Sequence, residues 1–112
     1  MTKTISGFFG TGVMALVLVA NPVVSKAAEP TADKGKEVFE QCGVCHNADS
    51  DEKKMGPGLK GLFKKEKLKN GKKVTEANVK AVVDAGGNGM PAYADMLSDE
   101  EKANLLAYLK TL

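Results

Sequence analysis

At 112 residues the chain holds one domain at most, and with its apolar opening set aside the remainder is too small to be held comfortably by packing alone, so a staple, metal or cofactor is expected. Sixteen Lys and no Arg stand against 14 Asp and Glu, and because Lys3 and Lys26 fall in the opening segment the rest balances at 14 against 14, which excludes a nucleic-acid binder built on basic excess. Two Cys and a single His exclude a multi-disulfide framework and confine reactive chemistry to a few residues.

The chain opens as an export signal. Met1 to Ser6 carries one positive side chain, Lys3, and the thirteen residues Phe8 to Ala20 are uncharged and mostly apolar. Asn21 and Pro22 break the run, and Ser25-Lys26-Ala27 places small residues where a signal peptidase reads. The sequence therefore divides into a signal peptide, 1–27, and a folded domain, 28–112, with cleavage after Ala28 as the near alternative. An uncleaved anchor is disfavoured because the run is shorter than the ~20 residues a bilayer span needs. No Cys follows the run to accept lipid. The expectation is a periplasmic protein without a permanent membrane anchor; a thylakoid lumen or another extracytoplasmic space is the lesser alternative.

Past Pro30, Thr31 caps a helix in which Gly35, Val38, Phe39 and Cys42 repeat at helical spacing, ending at Gly43. Asn47 to Gly58 is polar and Gly/Pro-rich and reads as loop. Leu59, Leu62 and Phe63 form a short apolar turn, and the lysine-dominated stretch Lys64 to Lys73, with Asn70-Gly71 inside it, marks an exposed turn. Thr75 starts a second helix with Val79, Val82 and Val83 on one face, stopped by Gly86-Gly87. A Gly-rich turn leads to Met90-Pro91. Ser98 with Glu101 three residues on is a capping box, opening a last helix whose face is Leu105, Tyr108, Leu109 and Leu112. No stretch alternates with period two and none repeats, so the fold class is all-α, with three or four short helices.

Cys42-Gly43-Val44-Cys45-His46 has the spacing that covalent haem attachment needs: two thiols for two vinyl groups, and an adjacent imidazole for the iron. Cysteines three apart share one side of a helical turn, and the next residue projects under the ring they anchor. Other uses of the motif fit less well. Structural zinc needs four ligands, and no second cluster completes the set. A thioredoxin-like dithiol wants a βαβ context that is missing, and a plain disulfide leaves His46 and the small core unexplained. One covalent haem c is the expected cofactor, and the thioether bonds would supply the staple.

With this pentapeptide, Met55-Gly56-Pro57-Gly58-Leu59, and Gly89-Met90-Pro91-Ala92-Tyr93 before Leu97-Ser98-Asp99-Glu100-Glu101, the chain resembles class I monohaem cytochromes c, most of all the short bacterial and photosynthetic members. The resemblance implies a cytochrome c fold wrapped around one covalently bound haem, with Met90 as sixth iron ligand opposite His46. It also implies that the Pro57 carbonyl accepts a hydrogen bond from His46 and that Gly35 and Phe39 cross the last helix near Tyr108. Lys64 to Lys73 matches no motif of the family.

The sixth ligand can be weighed from the residues as well. Met1 and Met14 leave with the leader, so Met55, Met90 and Met96 remain. Met55 follows His46 by only nine residues, too few to pass easily around the ring's edge, and Met96 beside Leu97 reads as packing. Met90 is favoured: Pro91 holds it extended, and Gly86, Gly87 and Gly89 let backbone approach the ring. Met55, Met96 or an open position stay as the alternatives.

A thioether opposite an imidazole stabilises ferrous iron and fills the coordination sphere, which suits a one-electron carrier rather than an enzyme. A haem peroxidase or gas sensor would need an open distal position and acid–base partners, and the chain has no second His and no Arg. A fixed electron-transfer subunit of a larger complex is the third reading. From Lys53 to Lys80 ten lysines stand against Glu66 and Glu76, a balance of +8, while the rest of the domain is acidic. That polarity predicts acidic redox donors and acceptors docking through this region, weakened by salt; a merely solvated face is the alternative.

Overall fold

The computed structural model describes residues 7, 10–20 and 29–112. Residues 10–20 form neither helix nor strand, and their large apolar side chains, among them Val13, Leu16 and Leu18, are exposed. Apart from Gly7, the rest of the expected leader, including Lys3 and both cleavage positions, lies outside the described residues. No helix among the described residues is long and apolar enough to cross a membrane.

Three α-helices and one 3-10 turn build the domain: α1 (Ala32–Phe39), the turn Leu62–Lys64, α2 (Glu76–Ala85) and α3 (Asp99–Leu109). Each α-helix starts at the hydroxyl its sequence offers. Thr31 accepts from the Lys34 N–H, Thr75 from the Asn78 N–H, and Ser98 from the Glu101 N–H while the Glu101 carboxylate accepts from the Ser98 N–H, completing the capping box. α2 stops at Gly86, whose φ of 63° admits glycine without penalty.

α1 is shorter than expected. Beyond Phe39 the chain keeps turning, but its hydrogen bonds mix spans of three and four: Cys42 and Gly43 both donate to the Phe39 carbonyl, at 2.8 and 2.9 Å, and Cys45 and His46 both donate to Cys42, at 3.1 and 3.0 Å. Cys42 to His46 therefore lies on tightened turns rather than regular helix, because both carbonyls are shared.

Phe39, Leu62, Val79, Val83, Tyr93, Leu97, Leu105 and Leu109 form the core, with Leu105 the most enclosed at 2% exposure. α1 and α3 cross in contact at Gly35. An added Cβ there would lie 1.9 Å from the Asn104 carbonyl oxygen and 2.7 Å from Tyr108 Cβ, so only glycine lets the helices approach this closely. Beside the crossing the Phe39 and Tyr108 rings meet at 5.3 Å between centroids, tilted by 54°. Val82, expected on the buried face of α2, is only half-buried; the buried stripe runs through Val79 and Val83, four apart.

Candidate functional site

The site is assembled by the segment after Cys42-His46 folding back upon it. The Gly56 N–H donates to the Cys45 carbonyl at 2.8 Å, the Leu59 N–H to the Asn47 carbonyl at 2.8 Å, and Lys54 Nζ to the Gly43 carbonyl at 3.2 Å. These bonds bring Pro57 beside the imidazole: His46 Nδ1 lies 2.8 Å from the Pro57 carbonyl oxygen. A carbonyl only accepts, so Nδ1 carries the proton and donates, and Nε2 is left with a lone pair available to a metal. Gly56 packs flat against the same ring, where an added Cβ would come within 2.5 Å of His46 Cε1 and 2.8 Å of Nδ1. The ring is thus held by one hydrogen bond and one backbone face. Sequence reasoning missed the role of Gly56, and the only signal was its place one residue before Pro57.

Cys42 and Cys45 are not joined to each other by a disulfide, and both are half-buried. Burial, and after it the neighbouring Cys45, pushes the Cys42 thiol above its usual range. Cys42 packs against the core, as do Leu59, Phe63 and Met90. Tyr93, inside that core, has its phenol pushed up by burial first and then by Cys42 and Cys45.

The three candidate methionines differ in setting. Met90 is half-buried against the core, whereas Met55 is 79% and Met96 62% exposed. Met90 stands at the end of a tight turn in which its N–H donates to the Gly87 carbonyl at 3.0 Å and the Gly87 N–H donates back at 2.9 Å. Asn88 and Gly89 between them both have positive φ, 52° and 87°, the pattern of a type I′ hairpin turn that Asn-Gly favours. From the sequence only a Gly-rich turn is expected here.

The lysine-rich stretch forms a small hairpin. Leu68 donates to the Lys72 carbonyl at 2.8 Å and Val74 to the Glu66 carbonyl at 3.0 Å, and Lys67 and Lys73 meet as an isolated antiparallel bridge around Asn70-Gly71. Its lysines are exposed. Of the neighbouring lysines, Lys65 pairs with Asp51 at 3.0 Å and Lys80 with Asp84 at 2.8 Å.

The residues fit a covalently held haem by their chemistry: two accessible thiols three apart, an imidazole whose proton is fixed on the ring nitrogen that faces Pro57, and a half-buried thioether beside the same core.

Comparison with known proteins shows the family to which the chain belongs. A family profile described as Cytochrome c matches residues 32–112. The chain is 31% identical to cytochrome c2 of Rhodospirillum rubrum, aligned over 95% of this chain and 97% of that protein. It is 42% identical over 64 residues to cytochrome c2 of Blastochloris viridis, covering 56% of this chain and 43% of the relative. It is 31% identical to cytochrome c oxidase subunit 2 of Alkalihalophilus pseudofirmus over 80% of this chain, though the match spans only 28% of that longer protein. The chain thus spans less than half the length of these last two relatives.

Proposed function

The chain belongs to the cytochrome c family, a class I monohaem member with an all-α cytochrome c fold and one covalently bound haem c, and on that footing we propose that it is an exported one-electron carrier with His46 and Met90 as its axial iron ligands. The observation that carries the proposal is the His46 imidazole held through Nδ1 by Pro57, with Nε2 left free, in a fold that also half-buries Met90 against the core. The bound haem supplies Fe(II)/Fe(III) exchange. The protein's part is to keep that exchange clean. Cys42 and Cys45 anchor the ring and staple a domain with a small core. Pro57 fixes the His46 tautomer and raises the basicity of the ligand. Met90, a soft neutral donor, fills the remaining position and favours the reduced state.

The protein is a carrier and not an enzyme, a reading that its likeness to two cytochromes c2 supports. His46 is the sole His and there is no Arg, which leaves a peroxidase without its usual acid–base partners. Export through the leader, cleaved after Ala27, places the carrier in the periplasm, where thiols can be joined to haem. The Lys53 to Lys80 region, exposed along the 66–74 hairpin, is the proposed docking face for acidic redox donors and acceptors. A second reading, a fixed module of an oxidase, draws on the likeness to cytochrome c oxidase subunit 2. A native mass well above that of one chain in the exported fraction would favour it.

The test is the visible spectrum of the oxidised protein, matured with its leader in a host that attaches haem c. The expected result is a weak red thioether-to-iron charge-transfer band that Met90→Ala abolishes. Covalent haem without that band would overturn His46/Met90 ligation and favour a gas sensor or peroxidase with an open sixth position.

A further inference from the structure

Lysine is almost never buried unless paired, yet Lys102 on α3 is only 6% exposed. Its ammonium makes two contacts. Nζ lies 2.8 Å from Asp84 Oδ1 and donates to the Ala94 carbonyl at 2.9 Å. Asp84 is the penultimate residue of α2, where the chain leaves for Met90, and Ala94 is where it returns. The neck between them is also closed by backbone bonds, Tyr93 N–H to the Val83 carbonyl at 2.9 Å and Ala94 N–H to the Asp84 carbonyl at 3.3 Å. The second of these is long, so the side-chain tie adds to a weak rung. The other Asp84 oxygen is held by Lys80 at 2.8 Å, from within α2.

We infer that Lys102 is a positioning residue for Met90: by gripping Asp84 and Ala94 from a third element it locks the neck of the loop that carries the sixth ligand. The inference rests on the reading of Met90 as that ligand. An apolar side chain of similar length would fill the same space on α3 but would tie neither end of the loop. A buried ammonium in this place therefore does something that packing does not, namely hold two segments in one register. Removing it leaves Asp84 with Lys80 and the Ala94 carbonyl without its side-chain donor, and the loop opens more often while the helices stay packed.

The experiment compares the parent holoprotein with Lys102→Met, Lys102→Arg and Asp84→Asn, titrating the oxidised form with imidazole, which binds by displacing the sixth ligand. Titrations are made well below each melting temperature, with helix content followed by far-UV circular dichroism. Imidazole affinity is expected to rise at least tenfold in Lys102→Met and several-fold in Asp84→Asn, with most of the parent behaviour restored in Lys102→Arg. On heating, the red band should be lost before the helical signal in the first two variants. If the parent shows the band but imidazole affinity is unchanged in both Lys102→Met and Asp84→Asn, or if band and helices are lost together in each, Lys102 is merely structural and the inference is overturned. A parent without the band overturns the Met90 reading first, and this inference with it.

Discussion

Replacing Gly35 by Ala tests the contact between α1 and α3 on which the fold depends. The added methyl would sit 1.9 Å from the Asn104 carbonyl oxygen and 2.6 Å from its carbon, where an ordinary contact is 3.4 Å or more, so α3 must withdraw by about 1.5 Å. No rotamer change relieves this, because the obstructing atoms are backbone. Withdrawal loosens the packing of Phe39, Leu105 and Leu109, and forced overpacking costs about 1–3 kcal/mol, with this site at the upper end. Alanine recovers about 1 kcal/mol over glycine in a helix. The net loss is then about 2 kcal/mol, which for a domain of this size lowers Tm by about 10 °C. Thermal unfolding of the oxidised holoprotein, followed by far-UV circular dichroism, measures it. Gly43→Ala is the contrast, since its nearest neighbour would be 3.5 Å away, and its stability should change by no more than about 0.5 kcal/mol. A Tm for Gly35→Ala equal to or above the parent's would show that helix propensity outweighs the clash and that the crossing is not tight.

In Gly56→Ala the new Cβ meets the His46 ring at 2.5 Å, and with Gly56 fixed by its N–H bond to Cys45 the imidazole must shift away from Pro57. A weaker Nδ1 hydrogen bond makes His46 less basic and the ferric state less favoured, so the midpoint potential should rise by tens of millivolts, about 59 mV for each factor of ten; voltammetry showing no rise would contradict this. Lys102 and then Lys80, ion-paired with Asp84, hold its carboxyl below the usual carboxylate range. A group depressed on folding contributes stability that is present above its unfolded value, near 4, and is lost as pH falls through the folded one, so acid unfolding should be less steep in Asp84→Asn than in the parent. Matching acid slopes in denaturant melts would remove Asp84 from the acid response. Association with an acidic redox partner should slow as salt rises from about 10 mM to 500 mM, and Lys69→Glu with Lys72→Glu should flatten that dependence. Stopped-flow rates indifferent to salt would leave the lysine hairpin a solvated face.

Much of the molecule was legible in the chain because it depends on neighbours a few residues apart. The three helix starts at Thr31, Thr75 and Ser98 are local hydrogen bonds, and each is present. The Cys42-Cys45-His46 spacing is likewise local, and it alone identified the cofactor. The end of α1 was not legible: periodicity carries on past Phe39, but shared carbonyls tighten the backbone there.

What sequence by itself determined is therefore the class, the cofactor and the capped ends of its helices, all set by spacings of three or four residues. Tertiary structure alone decided that Asn104, 73 positions from Thr31, accepts that residue's N–H at 2.9 Å, and that Lys102 is buried by Asp84 rather than solvated. It also decided that Gly56 presses on His46, and that Val82 yields the inner face of α2 to Val79 and Val83. The physical reason is common to the first three. A polar or small side chain carries no local sign of the partner it will meet, and that partner is chosen when distant segments pack and every buried polar group must find a bond.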